Sequence, residues 1–259
     1  MRWVAFVPLR TSALTIALGA LFATASLGQD ASDGQREQVL QAVSREFAQR
    51  KEPDVFDWLR LADAQLRSGR VSEANDSFET AIRLEPPRRP YLWQYGISLF
   101  FAERFDEGRA LFEAHRKVNP NDVENAAWHF LCVAKSEGVD KARTIVLLAP
   151  DDPRPPMREI LDRLRGGDDS KILARMRQLE AGADAADATF YGEFYLGLIA
   201  DAEGDRAKAK RWIGQAAQTP LRHYMADVAR VYRTSLSEDK DGRESKPEPA
   251  VGDGSAVSR

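Results

Sequence analysis

The sequence predicts an all-α fold, an α-solenoid of antiparallel helix pairs with capping helices. Three observations point to it. Small residues return at a spacing of about 34 positions, large apolar residues recur at the spacing of amphipathic helices, and prolines fall where helices must stop. With Trp58 at the fourth position of such a frame, Leu61, Ala62, Gly69, Ala74, Phe78, Ala81 and Pro86 take the pattern positions of a first copy. A second copy has Leu92, Tyr95, Gly96, Phe105, Gly108, Phe112 and Pro120, with His115 where a small residue is expected. A third, from about Val123, keeps Val139, Ala142, Val146 and Ala149 but has Phe130 at a small position, so it is degraded. The fourth starts near Phe190 and carries Leu196, Gly197, Gly204, Ala209, Ile213 and Ala216. Paired helices approach closely only where small side chains let the backbones meet. Each copy has three such positions, and ten of the twelve hold Gly or Ala, more than a random helical sequence would place there.

The elements follow in order. Residues 1–28 read as a secretory signal: Arg2 and Arg10 precede an uncharged run from Thr11 to Leu27, and Ser26 and Gly28 suit cleavage before Gln29. The alternative is an uncleaved anchor, since a run of about 17 apolar residues is the short limit for crossing a bilayer. Residues 29–54 supply an amphipathic cap with Val39, Leu40, Val43 and Phe47 on one face. Residues 55–154 hold three repeats and end in the proline-rich break at 150–156. Residues 155–189 form an insert of two short helices, Met157 to Leu164 and Ile172 to Leu179, around Gly166 and Gly167. Residues 190–236 contain the fourth repeat and a closing helix from Tyr224 to Tyr232. Capping helices are needed because the end faces of a solenoid are apolar. Residues 237–259 are polar and bury too little to order themselves.

Composition narrows the function. Apolar residues make up 43%, enough for a core, and 37 basic side chains stand against 40 acidic ones, for a net charge of −3. That balance leaves no cationic surplus to hold a nucleic-acid backbone. Cys132 is the single cysteine and His115, His129 and His223 the only histidines, so neither an internal disulfide nor a cysteine-rich metal site is expected. No metal, small-molecule cofactor or nucleic-acid partner is anticipated. Catalytic spacings such as Gly-x-Ser-x-Gly, the phosphate-binding loop and His-Glu-x-x-His do not occur. A catalytic reading would rest on Cys132 with His129 three positions before it, on a helix too apolar to favour a thiolate. The pairs Asp151-Asp152 and Asp168-Asp169 lie in Pro- or Gly-rich loops and read as turn or capping residues.

The 34-residue pattern resembles the tetratricopeptide repeat (TPR). In the second half, Asn121-Asp122, Trp128, Thr189-Phe190-Tyr191, Phe194-Tyr195-Leu196-Gly197 and Gly204-Asp205 are similar in layout to the NlpI-type TPR lipoproteins of the bacterial cell envelope. That resemblance covers about residues 55 to 235 and implies a dimeric adaptor that brings an envelope protease to murein hydrolases. The cysteine that would carry the lipid in such proteins is absent here.

In stacked repeats the first helix of each pair lines a concave surface. Its facing positions give a candidate protein-binding groove of Leu59, Asp63 and Leu66, then Trp93, Ile97 and Phe100, then Leu131. An apolar, aromatic groove suits a helix or extended peptide, although Trp93, Phe100 and Phe101 also fit a core role. The expected function is a non-catalytic adaptor or scaffold for a protein or peptide partner in the exported cell envelope, with a homodimer compatible. The alternative is a self-assembling structural protein whose groove is filled by its own helix or a second copy. An enzyme with a dispersed site ranks behind both.

Overall fold

A computed structural model describes residues 33–243, with side chains placed to residue 237. The segment 1–28, expected from its sequence to be a secretory signal, and the last part of the polar tail lie outside the described residues. Within them the fold is all-α, thirteen helices and no strand.

The helix α1 spans residues 33–48. Its apolar face puts Leu40 and Val43 against Leu61 and Ala64, and Phe47 meets Trp58 edge-on at 4.6 Å. Val39 turns to solvent instead, a position the amphipathic pattern assigned to the packed face. The next helix, α2 (Val55–Arg67), starts at Asp54, whose carboxylate accepts from the N–H of Phe56 and Asp57 while Asp57 reaches back to the N–H of Asp54. Such reciprocal caps satisfy the amides that the first turn leaves free. The chain reverses at Gly69, where φ is 77° and a side chain would be strained, and returns as α3 (Val71–Leu84).

A 3-10 segment, Pro86–Tyr91, leads to α4 (Trp93–Phe101) and its partner α5 (Phe105–Val118). It also accounts for His115 at a small-residue position: the ring is buried and Nδ1 donates to the carbonyl of Pro90 at 2.8 Å. Asp122 caps α6 (Val123–Glu137), which ends at Gly138 with φ 94°. Its partner α7 (Val139–Thr144) is only six residues long. It stops before Val146 and Ala149, which the 34-residue frame had placed in its continuation; the β-branched run Thr144-Ile145-Val146 and then Pro150 disfavour further helix.

Two short helices, α8 (Met157–Leu164) and α9 (Ser170–Leu179), pack on α6 and on α10 (Ala185–Ala202). The next, α11 (Arg206–Ala216), pairs with α10, and α12 (Tyr224–Arg243) ends the described residues, running past Ser237 where the polar composition had placed the end of order. Most contacts join neighbours in sequence: α2 with α3, α4 with α5, α6 with α7, α10 with α11.

These pairs nest through small residues. A Cβ added to Gly96 would stand 2.5 Å from Cζ of Phe112, and one added to Gly197 would stand 2.7 Å from Cγ1 of Ile213. Ala62, Ala74 and Ala81 in the first pair are fully buried. The packing is that of sequential helix pairs, consistent with a helical repeat.

Candidate functional site

The seven groove residues lie on three helices, and α12 and α10 pack against those helices. From α2, Asp63 accepts a hydrogen bond from the hydroxyl of Tyr224 on α12 at 3.3 Å. From α4, Trp93 meets the ring of Tyr224 edge-on at 4.9 Å, and Phe100 stacks on Tyr232 at 6.1 Å. From α6, Leu131 lies on the face that meets α10, where Tyr195 donates to Glu124 at 3.0 Å and Lys135 to Asp201 at 2.7 Å.

Burial follows. Leu66, Ile97, Phe100 and Leu131 are each 5% exposed or less. They are interior residues, not an open docking surface, and this corrects the groove expected from the repeat frame. Leu59, Asp63 and Trp93 are half-buried, the last two against Tyr224 of α12. The aromatic positions of a concave surface are as useful for holding the chain's own helix as for holding a foreign one, and here the occupant is α12, at the C-terminal end of the described chain.

The seam is charged as well as aromatic. Asp227 of α12 pairs with Arg67 at 2.6 Å, with Arg230 at 3.0 Å and with Arg36 of α1 at 3.8 Å, so one buried carboxylate joins three helices. Arg230 also donates to the carbonyl of Thr219 at 2.7 Å. Burial pushes Asp63 up to about 6, with the Tyr224 hydroxyl and Arg67 working the other way. His223 stands just before α12: its Nδ1 accepts from the N–H of Ala226 at 3.3 Å, and its ring stacks on Tyr191.

A second cluster was not singled out from the sequence. Arg154, in the proline-rich break, bonds Asp152 at 2.7 Å, Asp122 at 2.9 Å and Glu124 at 2.5 Å. Asp152 also accepts from the N–H of Val123 at 3.1 Å, giving α6 a cap from outside its own helix. Burial raises the carboxyl of Glu124, opposed by Arg154. The cluster clamps the break onto the start of α6 and onto α10. Its one sequence signal was an arginine set among acids and prolines.

Cys132 is fully buried, and burial pushes its thiol well above the usual range. A Cβ at Gly108 would come within 2.9 Å of its sulfur, so the backbone of α5 closes over it. His129 donates from Nε2 to Glu113 at 3.3 Å, and burial lowers its pKa. A sealed thiol that resists ionisation is placed to pack rather than to attack. Among the described residues no three His, Cys, Asp or Glu side chains converge in the manner of a metal site, and no helix is long and apolar enough to cross a membrane. No family model matches the chain, and no curated protein matches it.

Proposed function

We propose that the chain is a non-catalytic, TPR-like adaptor or scaffold that binds protein partners in the exported bacterial cell envelope. The observation that supports it is the stack of helix pairs nested through Ala62, Gly96 and Gly197, with the start of the chain reading as a secretory signal. Stacked pairs of this kind offer extended surfaces for macromolecules. With the concave face occupied by α12, the partner is met outside it. By resemblance to the NlpI-type lipoproteins the partner class is an envelope protease or a murein hydrolase.

One observation favours the second reading, a structural protein that assembles with itself. The groove is met by one of the chain's own helices, α12, as that reading requires. Affinity capture from envelope extract, with light scattering of the purified chain beside it, separates the two. An adaptor retains a foreign polypeptide in fixed ratio to the bait. A self-assembling protein retains only its own copies and scatters as an oligomer. A monomer that retains nothing would overturn both.

A further inference from the structure

His223 holds the N-cap position of α12, whose first residue is Tyr224. Its Nδ1 accepts from the N–H of Ala226 at 3.3 Å, and that N–H is shared with the carbonyl of His223 at 3.1 Å. Asn, Asp and Ser are the usual residues here, and none of them changes its hydrogen bonding near neutral pH. A ring nitrogen accepts only while the imidazole is neutral. Protonation turns Nδ1 into a donor facing another donor and sets a positive charge at the positive end of the helix dipole.

The ring is held by α10. Tyr191 stacks on it at 5.6 Å and 7°, and Phe190 meets it edge-on at 4.8 Å. Its Nε2 is buried without a hydrogen-bond partner among the described residues and lies 3.9 Å from Asp187. The charges facing the ring are Asp187 from α10 and Asp227 and Arg230 from α12, while Arg222, just before it, is exposed and the Tyr191 phenol stays neutral. Asp187 is largely exposed, and Asp227 already pairs with Arg36, Arg67 and Arg230. Burial outweighs the pull of the two carboxylates, with Arg230 acting against them, so the ring titrates below the usual 6.5. Tyr224, the next residue, is the one that reaches Asp63 and Trp93, so the first turn of α12 covers that part of the concave face. Val228, Ala229 and Tyr232 are buried and keep the rest of the helix in place.

We propose that His223 is an acid-sensitive latch on the first turn of α12: taking up a proton withdraws the cap, loosens Tyr224 and uncovers Asp63 and Trp93. A ring whose folded pKa lies below its unfolded one costs nothing well above 6.5, and the cost grows as pH falls from there through the folded value. Asp63 works the other way, since acid removes the cost of burying its charge. The turn is held most firmly where Asp63 has taken a proton and His223 has not. This inference stands apart from the adaptor reading, since the chain alone tests it.

The test is amide hydrogen exchange followed by NMR, on the chain from Gln29 onward, which keeps every described residue. Exchange is expressed as protection relative to an unstructured chain at the same pH, so the intrinsic effect of pH on the rate drops out. With Asp63→Asn as the background, Ala226, Asp227 and Val228 should lose protection by about fivefold or more between pH 7 and pH 5, the size of a lost cap. Ile213 in α11 should keep its protection. Adding His223→Asn, which retains an acceptor and does not titrate, should remove the loss, and His223→Ser serves the same end if that variant misfolds. The natural chain should show a smaller loss, because Asp63 takes up its proton over the same interval. Unchanged protection in Asp63→Asn, a loss that survives His223→Asn, or a His223 ring that titrates at or above 6.5 would overturn the proposal.

Discussion

The hydroxyl of Tyr224 donates to Oδ1 of Asp63 across 3.3 Å of space and 161 positions of chain. That bond marks where α12 enters the face that a repeat of helix pairs would otherwise leave open. It holds a carboxyl that burial has moved up from its ordinary 3.8 to about 6.

A dependence on pH follows. A carboxyl whose folded pKa lies above its unfolded one stabilises the fold least when ionised. The cost is absent below about pH 4, grows as pH rises and is complete above about 6. Asp63→Asn removes the titration while keeping an acceptor for Tyr224. Urea denaturation at pH 4 and pH 7 should show the variant gaining on the parent between the two, by about 2 kcal/mol at most, since Asp63 keeps some contact with solvent. An offset that does not change with pH would show that α12 does not desolvate Asp63.

Asp227 should be far less replaceable. Its side chain and that of Arg230 are both 7% exposed, and Arg67 and Arg36 lean on the same carboxylate. Removing it leaves buried guanidinium groups without their counter-charge, at a cost of about 3–5 kcal/mol. Asp227→Ala is expected to lower the denaturation midpoint sharply and to bind a dye for exposed apolar surface as α12 loosens. A midpoint near that of the parent would mean that the aromatic contacts alone hold α12.

Two glycines on helices should respond in opposite directions. At Gly96 a methyl group would stand 2.5 Å from Cζ of Phe112 and 2.9 Å from Cδ2 of Leu111, both fully buried, so Gly96→Ala should destabilise by about 1–3 kcal/mol. At Gly214, within α11, a methyl group meets nothing within 4 Å, and Gly214→Ala should stabilise by up to about 1 kcal/mol through helix propensity. Thermal melts of the two variants check the pair, and a Gly96→Ala variant as stable as the parent would remove the close crossing of α4 and α5.

The thiol of Cys132 reports on opening. Fully buried and hard to ionise, it should not react with Ellman's reagent at pH 8 in the folded chain, and under denaturant it should react as fast as the chain opens. Rapid labelling without denaturant would show that α5 does not seal it.

The all-α class and the sequential pairing were legible because close helix crossings restrict residue size. Ala62, Gly96 and Gly197 sit where a longer side chain would strike Phe112 or Ile213 or their equivalents, and such a restriction repeats in the sequence itself. The short reach of α7 was less legible: Val146 and Ala149 keep the pattern, while a local run of β-branched residues and a proline stops the helix first. The cluster around Arg154 was hidden because its partners are brought together by the fold from the start of α6, the break and α10.

The same physics separates what the residues settle from what the folded chain settles. Periodicity says which face of a helix is apolar, since every turn repeats the local demand for burial. It carries no term for what covers that face. Leu66, Ile97, Phe100 and Leu131 could have lined a groove or a core with identical spacing, and the docking of α12 through Tyr224, Asp227 and Tyr232, with α10 over Leu131, made them core. That choice is a contact between helices far apart in the chain, so it exists only in three dimensions.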